Sequence, residues 1–254
     1  MNTIMEVANL SKSFGGIKAV RDVSFSVNTG TIHAVIGPNG AGKSTLFNLL
    51  AGATPADTGR INFNGKDITG FPTHKIAALK IARTFQNLKI APKMSVLDNI
   101  RLGLHTVCKT GLIASLLRTP SVRREERETY EKAEAAAKRL DIHHLLDREA
   151  GTLAYGEQRS VEMARALISD PLLLLLDEPA AGLNSRETED LADRIKGINE
   201  TGITVLLVEH DMGLVMRISD HVTVLAQGAK LASGTPREVQ DNKEVVRIYL
   251  GDDE

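Results

Sequence analysis

The fold of this chain is decided by one glycine-rich stretch, Gly37-Pro38-Asn39-Gly40-Ala41-Gly42-Lys43-Ser44-Thr45. It matches the pattern G-x-x-x-x-G-K-[ST], which is typical of loops that bind the phosphates of ATP or GTP. Backbone N–H groups can surround a phosphate chain only where side chains are absent, and the glycines provide that space. We expect Lys43 to reach the β- and γ-phosphates and Ser44 to place its hydroxyl on Mg²⁺.

The residues on either side of this stretch supply the context that a phosphate-binding loop requires. The apolar run 32–36 predicts a buried strand before it, and Leu46, Leu49 and Leu50 predict a helix that begins near Lys43. The positive end of that helix would face the same anion. A glycine-rich turn without a ligand is the simpler alternative, but such a turn has no need of the strand and the helix.

The bulk composition describes an ordinary water-soluble globular protein. The chain has 254 residues, of which 42% are hydrophobic and 25% charged, with 31 basic against 32 acidic side chains. Near-neutrality argues against wholesale electrostatic binding to nucleic acid. The single cysteine, Cys108, excludes an internal disulfide and fits a reducing compartment. The longest apolar run, 172–176, is too short to span a bilayer, and the N-terminus does not resemble a secretory signal.

The order of the predicted elements indicates an α/β fold with an insertion. Residues 4–9 and 22–27 alternate between apolar and polar, as strands of an antiparallel edge layer do. The segment 88–162 has helical periodicity and is interpreted as a helical insert. Residues 172–176 and 203–208 are short, continuous apolar runs of the kind found in parallel strands buried on both faces.

Polar residues follow these two buried runs, where ligands of open α/β sheets bind. Asp177 is placed to hold Mg²⁺ through its water shell, and Glu178 beside it can act as a general base. His210 follows the next strand and can donate to the γ-phosphate. A lone histidine is more often structural, but beside two carboxylates at a matching strand end the catalytic interpretation is favoured.

Together these segments resemble the ATP-binding subunit of an ABC transporter over nearly the whole chain. The matching segments, in chain order, are Gly37 to Thr45 (Walker A), Gln86 (Q-loop), Leu153-Ala154-Tyr155-Gly156-Glu157-Gln158 (signature), Leu172 to Glu178 (Walker B with the catalytic glutamate), Ala181-Gly182-Leu183-Asn184 (D-loop) and His210 (H-loop). The resemblance implies a P-loop NTPase core of the RecA-like type, spanning 1–87 and 163–254 and carrying an antiparallel β subdomain. It implies that 88–162 is the helical subdomain.

The resemblance also implies cofactors, partners and further roles. Phe14, which on its own is better explained as a small-core aromatic, would stack on the adenine of ATP. Gln86 would touch Mg²⁺ and couple the site to an integral membrane permease. Two such subunits pair head to tail, so the signature at 153–158 would close on the ATP of a second ABC ATPase subunit. The chain would lie on the cytoplasmic face of the inner membrane and meet an extracytoplasmic solute-binding protein only indirectly.

Within this family the chain resembles the larger ATPase subunit of branched-chain amino acid importers. The similar segments are 153–159, 178–184, 209–212, the Gly-Thr-Pro-Arg-Glu-Val ending and 116–120. Importers of other amides or amino acids share these features. Three residues depart from the family pattern: Ala154 replaces the signature serine, Tyr155 replaces the first signature glycine, and Asn184 replaces the D-loop aspartate. We therefore expect weaker closure on the partner's nucleotide.

Two rival functions fit the phosphate loop. A soluble ABC ATPase of translation or DNA repair would usually carry two nucleotide domains or a long coiled coil, and neither pattern is found here. A P-loop kinase would have no use for the signature at 153–158. The transported solute cannot be read from this chain, because the permease and the solute-binding protein select it.

Overall fold

The computed structural model describes residues 2–104 and 120–250. Cys108, positions 116–119 of the segment 116–120, and the acidic tail 251–254 lie outside the described residues. By their contacts the described residues form two compact units. One combines the residues up to Gln86 with those from Leu172 onwards, and the other runs from Asn87 to Pro171.

The first unit contains an antiparallel sheet near the N-terminus. Its described strands are β1 (Thr3–Phe14), β2 (Ile17–Asn28), β4 (Thr58–Phe63) and β5 (Lys66–Asp67), in the order β2-β1-β4-β5. β1 and β2 are longer than the alternating sequence predicted, because the pairing continues to the Gly15-Gly16 turn. Val23, Phe25 and Val27 are buried on one face, which confirms the predicted alternation.

A second, mostly parallel sheet carries the nucleotide-binding architecture. Its described strands are β3 (Ile32–Ile36), β6 (Ile81–Arg83), β7 (Leu173–Asp177), β8 (Thr204–Val208), β9 (His221–Ala226) and β10 (Ala229–Gly234), in the order β10-β9-β3-β8-β7-β6. Every residue of β3, β7 and β8 is buried, as expected for strands covered on both faces. β10 alone of these described strands runs antiparallel to its neighbour.

Helix α1 (Lys43–Leu50) links the two sheets of this unit. It contacts β2, β7 and β8, and Phe47 lies in one apolar core with Met5 of the antiparallel sheet and Leu206 of the parallel sheet. The other described helices are α2 (Thr73–Ala78), α6 (Ser185–Glu200), α7 (Met212–Ile218), α8 (Pro236–Gln240) and α9 (Lys243–Leu250). Asn184 followed three positions later by Glu187 is the sequence pattern of a capping box, and the two residues form one at the start of α6.

The second unit is helical in its described part. Its elements are α3 (Val96–Arg101), α4 (Pro120–Lys138), α5 (Tyr155–Leu167) and the 3₁₀ turns Leu102–Leu104, His143–Leu145 and Ala150–Thr152. Gly103 packs so closely that a Cβ there would collide with the carbonyl of Arg165 in α5. Helix α5 runs through position 162, the expected end of the helical subdomain.

The buried parallel sheet, the antiparallel layer and the helical unit agree with the α/β architecture that the resemblance implied. Among the described helices, none combines the length and the apolar composition needed to cross a bilayer. Phe14 departs from the simpler expectation. It is 49% exposed at the end of β1, so the core position favoured by its sequence context is wrong.

Candidate functional site

The phosphate loop joins the end of β3 to the start of α1 and depends on its glycines. Gly42 caps α1 with a φ of 97°, in the left-handed region. A Cβ at Gly42 would collide with the carbonyl of Ala19 in β2, and one at Gly37 with the carbonyl of Leu225 in β9. The backbone of one strand from each sheet thus approaches the loop closely, and only glycine fits at both positions.

Lys43 folds back over the loop that precedes it. Its Nζ donates to the carbonyl oxygens of Gly37 at 2.7 Å and Pro38 at 3.1 Å, and the side chain is buried. Burial lowers the pKa of Lys43, while the carboxylates of Glu178 and Glu209 oppose that shift. A lysine ammonium has three donors on a flexible stem, so Lys43 can exchange these two carbonyl oxygens for an anion placed in the loop.

The remaining loop residues differ in their exposure to solvent. Ala41 is buried, Pro38 and Thr45 are half-buried, and Asn39, Gly40 and Ser44 are exposed. Helix α1 has no side-chain cap and no acidic residue in its first turn. Its first N–H groups are therefore offered to an external acceptor, and negative charge is favoured beside them.

Asp177 ends β7 and is almost fully buried. Its Oδ2 accepts from an Arg83 NH2 group at 2.8 Å, and its backbone N–H lies 3.4 Å from the hydroxyl oxygen of Thr84. Its Oδ1 is buried and has no hydrogen-bond partner among the described residues. A buried anionic oxygen without a donor is costly unless a cation or water completes it. This carboxylate therefore fits a hydrated Mg²⁺, which prefers oxygen ligands.

Glu178 lies at the centre of the edge where the parallel strands end. Its Oε2 accepts from Nε2 of Gln86 at 3.1 Å and lies 3.9 Å from Nδ1 of His210. Its backbone has a φ of 48°, a strained value that turns the chain sharply after β7. The exits of β6, β7 and β8 therefore converge on one carboxylate, and the sequence predicted this meeting for the exits of β7 and β8.

Glu209 is part of this edge, although no role was assigned to it from sequence. The side chain is fully buried and accepts from the backbone N–H groups of Ala180 at 2.8 Å, His210 at 2.9 Å and Asp211 at 3.2 Å. Burial raises the pKa of Glu209, and these hydrogen bonds oppose the rise. The carboxylate ties the segment after β7 to the segment after β8. The only signal in the sequence was an acid directly after a buried strand.

Tyr249 of α9 is a second residue that sequence reasoning missed. Its hydroxyl is buried beside the backbone of Gly37. Burial raises the pKa of Tyr249 to about 12, and the Gly37 backbone acts in the opposite direction. The C-terminal helix thus lies behind the phosphate loop, and the helical pattern of that segment gave no indication of this contact.

Phe14 lies at the end of β1, next to the β1–β2 turn, away from the contacts described above. Its ring is 5.5 Å from Nζ of Lys12, and Lys12 also pairs with Asp57 at 2.6 Å. Because β2 passes the phosphate loop at Ala19, the hairpin that carries Phe14 is anchored beside that loop. An exposed ring on an anchored hairpin is available for stacking.

The signature residues lie in the second unit, at the start of α5. Ala154 is the N-cap and has no side-chain acceptor, but its N–H donates to Oε2 of Glu157 at 3.0 Å. Gln158 donates to the carbonyl of Leu153 at 2.9 Å. Tyr155 is 41% exposed, and the guanidinium of Arg159 lies 5.5 Å from its ring. Gly156 is half-buried in the first turn. The first turn of α5 is thus formed without a side-chain cap from Ala154, and Glu157 bonds the backbone of the N-cap residue.

Comparison with known families gives two matches. The ABC transporter family matches residues 20–181, and a branched-chain amino acid ATP-binding cassette transporter family matches residues 229–254. The second match covers α9, the helix that carries Tyr249.

Curated relatives are similar over almost the whole chain. The high-affinity branched-chain amino acid transport ATP-binding protein BraF of Pseudomonas aeruginosa is 46% identical over 250 residues, with 98% of each chain covered. The corresponding protein LivG of Escherichia coli K12 is 42% identical over the same length and coverage. Among solved structures, the ADP conformation of an ATP-binding cassette of an ABC transporter matches with a TM-score of 0.86 and 35% identity, covering 99% of this chain and 100% of that one.

Proposed function

The chain belongs to the ABC transporter family of ATP-binding subunits, and from this premise we propose that it hydrolyses ATP to power the import of branched-chain amino acids. The observation that carries the hydrolytic part is the convergence of Gln86, Glu178 and His210 at one sheet edge. The solute class is supported by the names of relatives that are 46% and 42% identical over 98% of this chain. It is also supported by the family match at residues 229–254.

ATP is held by the phosphate loop and by the exposed aromatic of the first hairpin. Lys43 exchanges the carbonyls of Gly37 and Pro38 for the β- and γ-phosphate oxygens, and the uncapped start of α1 contributes its N–H groups. Phe14 stacks on the adenine. The exposure of this ring and the rigid anchoring of β2 beside the loop support that role.

Ser44, Gln86 and Asp177 would hold Mg²⁺ at this site. The ion would supply positive charge against the β- and γ-phosphate oxygens. Asp177 contributes the buried Oδ1 that has no partner among the described residues. Ser44 contributes an exposed hydroxyl at the start of α1, and Gln86 contributes its amide oxygen while the amide nitrogen faces Glu178.

Glu178 is the general base that takes the proton of the attacking water. Its Oε2 accepts a hydrogen bond from Nε2 of Gln86, and this bond fixes the carboxylate at the sheet edge. His210 is 58% exposed at its side chain and lies 3.9 Å from the same oxygen, so it can turn to donate to a γ-phosphate. Glu209 holds the backbone of His210 and Ala180 and so limits how far these strand exits move.

The catalytic unit is a head-to-tail pair of ATPase subunits on the cytoplasmic face of the inner membrane. Residues 153–158 of one subunit close on the ATP of the other, and both act on a permease fed by a solute-binding protein. Support comes from the exposed Tyr155 and the uncapped helix start at Ala154, which leave a surface for a partner's phosphate.

The experiment is reconstitution of the chain with its permease and second ATPase subunit in vesicles. We expect ATP-dependent uptake of leucine, isoleucine or valine, and hydrolysis that requires the loaded solute-binding protein. ATP-dependent uptake of another class of solute, and not of these amino acids, would contradict the substrate assignment alone. Absence of nucleotide binding by the wild-type chain would contradict the function as a whole.

A further inference from the structure

One ion pair at the sheet edge has no part in the roles described so far. Arg83 ends β6 and donates from an NH2 group to Oδ2 of Asp177 at 2.8 Å. Its side chain is 15% exposed and that of Asp177 is 3% exposed, so the contact is largely removed from water. Charge-assisted hydrogen bonds of this kind are short and strongly directional.

The ion pair gives the two carboxylate oxygens of Asp177 different surroundings. Oδ2 is occupied by Arg83, whereas Oδ1 has no partner among the described residues. The two oxygens of a carboxylate are chemically equivalent, so either one can accept from Arg83. The guanidinium fixes the plane of the Asp177 carboxylate and leaves the other oxygen open.

Arg83 also ties Asp177 to the segment that carries Gln86. Thr84 donates its backbone N–H to the carbonyl of Leu175 at 3.0 Å. The Arg83 guanidinium lies 5.9 Å from the ring of Phe85. The consecutive acids Asp177 and Glu178 are thus each approached by a donor from 83–86, one from Arg83 and one from Gln86.

We infer that Arg83 is a positioning residue for the divalent-cation site, which holds Oδ2 of Asp177 so that Oδ1 faces the water shell of the cation. This inference rests on the Mg²⁺–ATP site of the proposed function. Hydrogen bonds to the outer oxygen of a metal-binding carboxylate typically change metal affinity by 10–100-fold when they are removed. A purely structural ion pair would change stability and leave the cation dependence unaltered.

The test compares Arg83→Leu, Arg83→Lys and Arg83→Gln with the wild type. Fluorescent-ATP binding is titrated with Mg²⁺ and repeated in EDTA, and the melting temperature is measured for each protein. For Arg83→Leu we expect the Mg²⁺ concentration at half-saturation to rise on the order of 10–100-fold, with binding in EDTA unchanged. Arg83→Lys keeps the charge and should recover part of that loss. Arg60→Leu, an exposed arginine on β4, is the matched control and should leave both measurements unchanged.

Arg83→Gln covers the case in which Arg83→Leu does not fold. A neutral amide donor is weaker than a guanidinium, so this variant should raise the half-saturating Mg²⁺ concentration at least about threefold. Folded variants that all bind Mg²⁺ like the wild type overturn the inference, even if their melting temperatures fall. Wild-type protein that fails to bind ATP in both conditions overturns the proposed function instead, so the two failures are distinguishable.

Discussion

At the scale of single residues, the site depends on charged groups that lie at strand ends. Glu178 is the clearest example, because Gln86 and His210 face the same oxygen from the two neighbouring strand exits. Glu209, one residue before His210, is buried and accepts three backbone N–H groups, and its Oε2 lies 3.7 Å from Nδ1 of His210. The two acids therefore differ in role. Glu178 faces the edge where the reaction is proposed to occur, and Glu209 holds the backbone.

For Glu178→Gln we expect ATP binding to be retained and hydrolysis to fall about 10²–10⁴-fold, because the amide cannot accept the proton of the attacking water. ATP hydrolysis and fluorescent-nucleotide binding measure the two effects separately. Glu189→Gln, on the exposed face of α6, is the control and should behave like the wild type. Near-normal turnover in Glu178→Gln would remove Glu178 from the role of base.

Gly42→Ala tests the backbone of the phosphate loop. A side chain at a φ of 97° that also meets the carbonyl of Ala19 should cost about 1–3 kcal/mol in backbone strain alone and weaken ATP binding at least about tenfold. Gly197→Ala in α6 is the control, since a Cβ there meets open space. That change should instead stabilise the helix by about 0.5–1 kcal/mol in chemical denaturation. Equal ATP affinity of Gly42→Ala and wild type would refute the requirement for glycine.

At the scale of elements, β3 carries one buried histidine, His33, in an otherwise apolar strand. His33 contacts the hydroxyl oxygen of Thr223 through Nε2 at 2.9 Å, and the ring of His221 lies 5.0 Å away. Burial lowers the pKa of His33 to about 3, and the neighbouring His221 adds to the shift. The neutral ring is therefore part of the packed sheet.

This shift makes a pH-dependent contribution to stability. Between pH 6.5 and about 3 the unfolded chain protonates His33 and the folded chain does not, so the contribution is complete above pH 6.5 and is lost as the pH falls. Between pH 7.5 and pH 5 the loss should be about 2 kcal/mol. Urea denaturation at both pH values, compared with His33→Gln, isolates this residue. An unchanged pH difference in the variant would rule it out.

Helices α5 and α6 differ in the side chain at the N-cap, so substitutions at the two N-caps should change stability in opposite directions. Ala154 leaves α5 without a side-chain cap, whereas Asn184 accepts from the N–H of Glu187 at 3.0 Å at the start of α6. Ala154→Ser should therefore stabilise its unit by about 1 kcal/mol, and Asn184→Ala should destabilise its own by about 1 kcal/mol. Denaturant titration of both variants checks the signs. In the assembled transporter Ala154→Ser should also tighten ATP binding. Unchanged turnover and ATP affinity at both sites would exclude the expectation that Ala154 weakens closure on the partner's nucleotide.

At the scale of the whole molecule, the phosphate loop and the signature belong to different compact units. In the proposed head-to-tail pair, each ATP needs residues from both subunits. The specific ATPase activity of the isolated chain should therefore rise with protein concentration, because dimerisation limits turnover. Hydrolysis assayed over a hundredfold range of concentration checks this. A constant specific activity across that range would mean that one chain hydrolyses ATP alone.

The sequence by itself determined the phosphate loop, the buried parallel strands and the cap of α6. These features depend on local patterns: glycine spacing, short apolar runs, and an asparagine three residues before a glutamate. It also identified the strand ends as the place for a site, because parallel strands present their carboxyl ends at one edge.

Only the tertiary structure decided which side chains meet at that edge. Arg83 and Asp177 are 94 positions apart, and Ala180 and Glu209 are 29 apart, so no local periodicity relates them. The exposure of Phe14 was likewise invisible in its sequence context, because burial depends on what packs against a turn. Contacts of this kind are consequences of strand order, and they appear only once the parallel sheet has brought distant strand ends together.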